Sequence, residues 1–205
     1  MNVLLLALSY LFGATPTSYW VGRAFHGIDL REHGSGNLGA TNTFRVMGWK
    51  WAVPVMVVDV SKGFVPVWFF PGLGGGGSAW PMAFGAAAIV GHMFSLWVGF
   101  KGGKGVATSA GVFLALAPWA VLAGLGVWLV VLFTTRMVAV GSIAAAASLP
   151  FLVASLPPGA SPGLVAFTAA LGAFVIWAHR SNIRRILKGE ENRFGRGRKN
   201  EAPGG

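Results

Sequence analysis

The chain has 205 residues, of which 54% are hydrophobic and 11% charged, with a mean hydropathy of +0.63. A soluble domain carries about a quarter of its residues as charged side chains, so this composition, drawn out into several long apolar runs, excludes an ordinary soluble globule and indicates an integral membrane protein. There is no cysteine, which excludes disulfides and thiolate metal sites, and six acidic residues leave little for a carboxylate metal cage, while a net charge of +10 in a membrane protein marks the cytoplasmic face before it marks a nucleic-acid partner.

In chain order, the N-terminus turns apolar at once, without the basic stretch of a cleaved signal peptide, and reads as a retained helix. Val3–Val21 is expected to form the first span, kinked at Pro16. A polar connector follows from Arg23 to Lys50. Trp51–Phe70 is a second span carrying Asp59 and Lys62, Pro71–Ala79 an uncharged glycine turn, and Trp80–Phe100 a third span. After the basic loop Lys101-Gly-Gly-Lys-Gly105 comes an apolar run from Val106 to Thr134, interrupted by Pro118. As one helix this run is too long for a hydrocarbon core of roughly 30 Å unless strongly tilted. Val138–Leu156 and Leu164–Trp177 are the last spans, and a basic tail begins at His179.

Charge chooses between one helix and two for Val106–Thr134. With one, the tail and its eight lysines and arginines would lie opposite the Arg23–Lys50 connector. With a hairpin hinged near Pro118, 15 of the 16 basic residues fall on one side and Lys62 alone stays within a span, as the positive-inside tendency requires. The expected fold is therefore all-α and membrane-integral, with seven transmembrane helices, two of them short and hinged near Pro118, the N-terminus outside and the C-terminus cytoplasmic. Residues 1–191 make one membrane-embedded domain and 192–205 a flexible basic, Gly/Pro-containing tail. No internal repeat is visible.

On this topology four polar clusters share the cytoplasmic face. Ser35-Gly-Asn-Leu-Gly-Ala-Thr-Asn-Thr-Phe-Arg45 combines glycines that can turn backbone N–H groups toward one point with hydroxyls, amides and a forked cation. That is the chemistry of an anion site. Lys101-Gly-Gly-Lys-Gly105 precedes a helix start, where unpaired N–H groups and the helix dipole favour an anion. It is not a nucleotide-binding P-loop, because Val98 stands where the leading glycine is needed and Gly105 where Ser or Thr is needed. The third cluster is Arg136 with Gly141 and Ser142. In the fourth, His179, Asn182 and Arg185 share a helix face at offsets of three and six. Asp59 and Lys62, three apart, read as a paired charge that ties helices together.

Ser35–Asn42 with Arg45, His92 with Gly99-Phe-Lys-Gly-Gly-Lys-Gly-Val-Ala-Thr108, and His179 with Asn182 and Arg185 together resemble the bacterial PlsY family of acyl-phosphate:glycerol-3-phosphate acyltransferases, over nearly the whole chain to about Glu191. The resemblance implies a seven-helix enzyme of the cytoplasmic membrane that makes 1-acyl-glycerol-3-phosphate, the first acylated step toward phosphatidic acid. Its substrates would be glycerol 3-phosphate and an acyl phosphate supplied by an upstream enzyme, with membrane lipid around it and no cofactor, metal, nucleotide or nucleic acid. Carried over by motif, the catalytic residues would be Ser35, Arg45, Lys104, Ser142, His179 and Asn182. Substrate phosphates would be held by Gly36, Asn37, Gly39, Ala40, Thr41 and Asn42 in the first loop, by Lys101, Gly102, Gly103 and Gly105 in the second, and by Arg185. One departure stands out: where the family leads one to expect an acid between Arg180 and Asn182, this chain has Ser181.

The residues agree with that chemistry. An acyl phosphate is a mixed anhydride with a good leaving group, so positioning and charge stabilisation do most of the work. The His-x4-Asp pattern of another acyltransferase class is absent after His26, His33, His92 and His179. The competing reading, a transporter or binding protein for a phosphorylated solute, fits the basic loops but lacks a repeat or a midplane site apart from Asp59 and Lys62. A membrane alcohol phosphotransferase would want several aspartates for metal, and this chain has two.

Overall fold

The first helix stops short of the expected span. In the computed structural model, which describes residues 1–77, 79–157 and 161–195, α1 runs from Asn2 to Ala14 and α2 from Thr17 to His26. Pro16 has no N–H to continue the ladder, so the chain breaks at Thr15–Pro16 rather than kinking. The carbonyls freed by the break find other donors: the Ser95 hydroxyl donates to Ala14, and the Lys62 ammonium donates to Thr15 at 2.5 Å.

The Arg23–Lys50 connector is also more ordered than a plain loop. It contains the end of α2, a 3-10 turn at Leu30–Glu32 and the helix α3, Ala40–Met47. Helix α4, Trp49–Gly74, extends beyond the expected span at both ends and accommodates Pro54, Pro66 and Pro71. Helix α5, Trp80–Met93, ends seven residues before the expected Phe100, and a 3-10 turn at Leu96–Val98 follows. The apolar run after the basic loop is indeed two helices, α6 (Val106–Leu116) and α7 (Pro118–Thr135), separated at Ala117. Pro118 occupies the first position of α7, where its missing N–H costs nothing. Helix α8 is Val138–Ser155, α9 is Pro162–Ala178 and α10 is Arg180–Leu187, the last two meeting at His179 with a bend of 56°. Every regular element among the described residues is helical.

Glycine sets how closely the helices approach. A Cβ at Gly13 would lie 2.1 Å from the Ala88 carbonyl oxygen, and one at Gly91 would lie 2.2 Å from that of Tyr10, so α1 and α5 touch backbone to backbone. Gly63 against Thr108 and Gly111 against Val60 do the same for α4 and α6, at 2.0 and 1.9 Å. Such small-residue contacts are how helices associate in lipid, where apolar burial supplies no drive. The interior is filled by Val67, Ile89, Met93, Val112, Phe113 and Leu171, from α4, α5, α6 and α9. Trp68, Phe69, Val130, Phe133 and Phe151 are exposed, apolar on the outer surface as lipid contact demands.

By length and apolarity, four stretches can each cross a membrane alone: α4, α5 with its 3-10 turn, α7 and α8; the bent pair α9–α10 makes a fifth. Helix α6 is apolar but short. Ser78 in the glycine turn, residues 158–160 of the turn after α8 and the tail from 196 onward lie outside the described residues. The expected boundary at 191 falls within an attached segment: the Phe194 N–H donates to the Arg136 carbonyl at 2.6 Å, and its ring stacks on Phe44 at 5.8 Å between centroids.

Candidate active site

The first loop is built around a buried amide. Asn42, in the first turn of α3, is 1% exposed. Its Oδ1 accepts from the Ser35 N–H at 2.8 Å, and its Nδ2 donates to the carbonyls of Leu30 and His33 at 3.2 and 3.0 Å. All of these bonds tie the loop to itself, so Asn42 shapes the loop. Gly34 and Gly36 have φ of 63° and 70°, the left-handed region that glycine enters without strain. A Cβ at Gly34 would meet Asn42 Oδ1 at 2.3 Å. Gly39 caps α3, with Ala40 and Thr41 opening its first turn, and its carbonyl already accepts from Asn42 and Thr43. Ser35, Gly36, Thr41 and Arg45 are exposed and Asn37 is half-buried.

A charged scaffold holds this loop from below. Asp29 is buried and accepts from the Arg31 guanidinium at 2.6 Å and from Arg23 at 3.3 Å. Arg31 beside it keeps the Asp29 carboxyl well below the usual carboxylate range. Arg31 also donates to the Val98 carbonyl at 3.4 Å, tying the first loop to the segment that leads into the second. Leu38 of the first loop and Gly102 and Gly103 of the second line one small cavity.

In the second loop, two of the backbone donors are engaged within the chain. The N–H groups of Gly102 and Gly103 donate to the carbonyls of Met93 and His92, at 3.0 and 3.1 Å. They cap the C-terminus of α5. Gly105 sits at φ 79° as the N-cap of α6. Beside these glycines stand the first turn of α6, the exposed Lys101 and the half-buried Lys104. The Lys104 ammonium donates to Asn182 Oδ1. Its pKa is lowered to about 8, first by burial and then by the neighbouring Arg185 and Arg45 cations, with Glu191 opposing.

The bend between α9 and α10 supplies the remaining groups. His179 is 3% exposed, and its Nδ1 hydrogen-bonds the Val175 carbonyl at 2.8 Å. A carbonyl can only accept, so Nδ1 carries the proton and Nε2 of the neutral ring has a free lone pair. Asn182 Nδ2 donates to Glu191 Oε1 at 2.8 Å, and Arg185 Nε donates to Glu191 Oε2 at 2.9 Å. Glu191 escapes the sequence reading, which treats it as the end of the domain. Its signal was position: an acid set within a basic tail, just beyond His179, Asn182 and Arg185. Residue 181 is serine, and the carboxylate that this corner does contain is that of Glu191.

Lys104, Asn182, Arg185 and Glu191 therefore form one bonded cluster, with Arg45 and His179 within Coulombic range of Lys104. Ser142 is engaged elsewhere. Its hydroxyl donates to Val138 at 2.9 Å and accepts from Trp128 Nε1 at 3.3 Å, contacts within the α7–α8 pair. Among the described residues no group of three His, Cys, Asp or Glu is arranged to hold a metal ion.

Fold and site together define a membrane protein, all-helical among the described residues, in which cations, an amide and an imidazole converge beside two glycine loops, a set suited to phosphate esters. Comparison with known proteins points the same way. The family model for glycerol-3-phosphate acyltransferase matches residues 3–189. The glycerol-3-phosphate acyltransferase of Geobacter sulfurreducens is 43% identical over 193 residues, covering 94% of this chain and 97% of its own, and that of Synechococcus sp. (strain JA-3-3Ab) is 45% identical over 196 residues, covering 95% of each. Two crystal structures of PlsY, an integral membrane glycerol 3-phosphate acyltransferase, match at 38% and 36% identity. Its glycerol 3-phosphate form gives a TM-score of 0.86 over 95% of this chain and 96% of that one; its lysophosphatidic acid form gives 0.85 over 95% of each. The chain belongs to the glycerol-3-phosphate acyltransferase family.

Proposed function

We propose that this enzyme transfers a fatty acyl group from acyl phosphate to the 1-hydroxyl of glycerol 3-phosphate, giving 1-acyl-glycerol-3-phosphate and inorganic phosphate. Family membership supports the acceptor and the product. The observation that carries the site assignment is the partly buried Lys104 ammonium held against Asn182, with Arg185 and Arg45 nearby: a concentration of positive charge that a phosphate would relieve. Lys104 and Arg45 hold the glycerol 3-phosphate phosphate, with Arg185 and the exposed first loop from Ser35 to Thr41 completing the anion surface. The acceptor hydroxyl attacks the acyl carbonyl, the bond from carbonyl carbon to phosphate oxygen breaks, and phosphate leaves with the electron pair. The hydroxyl proton goes to His179 Nε2 or to the departing phosphate. Asn182 fixes the ammonium.

The same reading places the protein in the bacterial cytoplasmic membrane with seven spans, its N-terminus outside and its site facing the cytoplasm, where an upstream enzyme can deliver acyl phosphate. It requires neither coenzyme A nor a divalent metal. The acyl chain would lie between helices, its phosphate at the boundary. The test is acyl transfer by the purified protein to glycerol 3-phosphate from palmitoyl phosphate and, in parallel, from palmitoyl coenzyme A, each with excess EDTA. Lysophosphatidic acid from the phosphate donor alone, unaffected by chelator, is expected. Loss of activity with chelator that one metal restores would overturn the metal-free site. Faster transfer from the thioester would overturn the donor.

A further inference from the structure

Two buried charged residues of α4 take no part in the proposed chemistry. Asp59 is 2% exposed and Lys62 0%. Lys62 Nζ donates to Asp59 Oδ1 at 2.6 Å and to the Thr15 carbonyl at 2.5 Å. Asp59 Oδ1 lies 3.8 Å from Nδ1 of His92, in the last turn of α5. Ionised groups within a span are costly, and packed apolar side chains of similar volume would join the helices as well. A tie between helices does not account for the third member, a histidine that faces the pair on one side and the second loop on the other.

His92 connects the pair to that loop. The Gly103 N–H donates to the His92 carbonyl at 3.1 Å. A Cβ at Gly103 would lie 2.1 Å from His92 Nε2, so Gly103 rests directly on the imidazole. Lys62, His92, Gly102 and Gly103 line the same small cavity. The far side of the loop meets the same turn of α4: a Cβ at Gly63 would lie 2.0 Å from the Thr108 carbonyl, in the first turn of α6. One end of the segment that carries Lys104 therefore rests on His92, which faces Asp59, and the other on Gly63.

We propose that His92, held in orientation by the Asp59–Lys62 ion pair, is a positioning residue for the Lys101–Gly105 loop, its ring forming the floor beneath Gly103 and so setting where Lys104 meets the substrate phosphate. This rests on the reading of Lys104 as a phosphate partner. A displacement of the loop by an ångström is enough to cost roughly 100-fold in rate.

A double-mutant cycle separates this role from general support. Gly103→Ala should lower kcat/KM for glycerol 3-phosphate by roughly 100-fold in the wild-type background, and by about threefold or less in a His92→Ala background, where the ring is gone. Gly102→Ala is the control. Its Cβ would lie 1.9 Å from the His92 backbone carbonyl, which His92→Ala does not remove, so its cost should be equal in both backgrounds. An equal cost of Gly103→Ala in both backgrounds would overturn the proposal.

The contribution of the ion pair is read without turnover. The chain has no cysteine, so a spin label at Lys101→Cys reports the loop alone. In an Asp59→Asn/Lys62→Met variant the label should become more mobile at temperatures where the fold is intact, with Tm lowered by no more than the lost Lys62–Thr15 bond explains. Wild-type label mobility and KM in that folded variant would reduce the pair to a helix tie. If the variant does not fold, the His92/Gly103 cycle, which leaves both charges in place, still decides the role of the imidazole. A wild-type protein that transferred no acyl group would defeat the proposed function, and label mobility in His92→Ala would then decide the positioning role by itself.

Discussion

Lys104 is where charge, burial and hydrogen bonding meet. With its pKa lowered to about 8, its ammonium is present below that pH and lost above it. For the free enzyme, kcat/KM for glycerol 3-phosphate should therefore fall as pH rises through about 8. Lys104→Arg, whose guanidinium does not titrate there, should lose that limb of the profile. Unfolding does not explain the fall. The unfolded lysine keeps its proton to about 10.5, so between the two values the unfolded chain binds more protons and this group's contribution to stability rises with pH. Tm measured across the same range separates the two effects. Arg45→Ala and Lys104→Ala should each raise KM for glycerol 3-phosphate or abolish turnover, a loss of roughly 2–5 kcal/mol for a charge-assisted phosphate contact. Arg45→Lys should rescue only in part, since a point charge cannot replace a fork. Wild-type kinetics in either alanine variant would remove that residue from the site.

Among elements, α4 and α6 carry the tightest demand. Gly63 and Gly111 bring their backbones together over the first half of α6, the helix that follows the Lys104 loop. Gly111→Val should push the pair apart and cost roughly 1–3 kcal/mol by overpacking, read as a lower Tm in detergent. Gly126→Val on α7, where a Cβ would meet nothing within 4 Å, should leave Tm nearly unchanged. Equal effects of the two would deny that close approach governs this interface. The short α10 shows another demand on an element: the strap that follows it brings Glu191 back onto Asn182 and Arg185, so helix and strap order together.

For the whole molecule, the distribution of charge makes a topological prediction. With 15 of 16 basic residues expected on one side, reporters fused near Met1 and after Glu191 should report opposite faces of the membrane, the C-terminal one cytoplasmic. Both ends on one side would rule out seven spans.

The sequence by itself determined the class of this protein. Apolar runs declare helices in lipid, because a backbone there must bond within its own segment. Pro118 declares the break between α6 and α7, because proline lacks the donor that would carry the ladder past Ala117. The three motifs declare the family. Tertiary structure decided how those residues are used. Whether a glycine N–H is free depends on what lies opposite: at Gly102 and Gly103 that is the end of α5, which takes both donors. Whether Asn42 meets a ligand depends on the loop that folds over it. The break at Pro16 became a full interruption because Ser95 and Lys62, distant in the chain, receive the freed carbonyls. Glu191 joined the site because the strap turns back, placing its carboxylate on partners nine and six residues earlier. Periodicity and composition report what each segment needs from its surroundings; partners brought together across the chain exist only once the helices have packed.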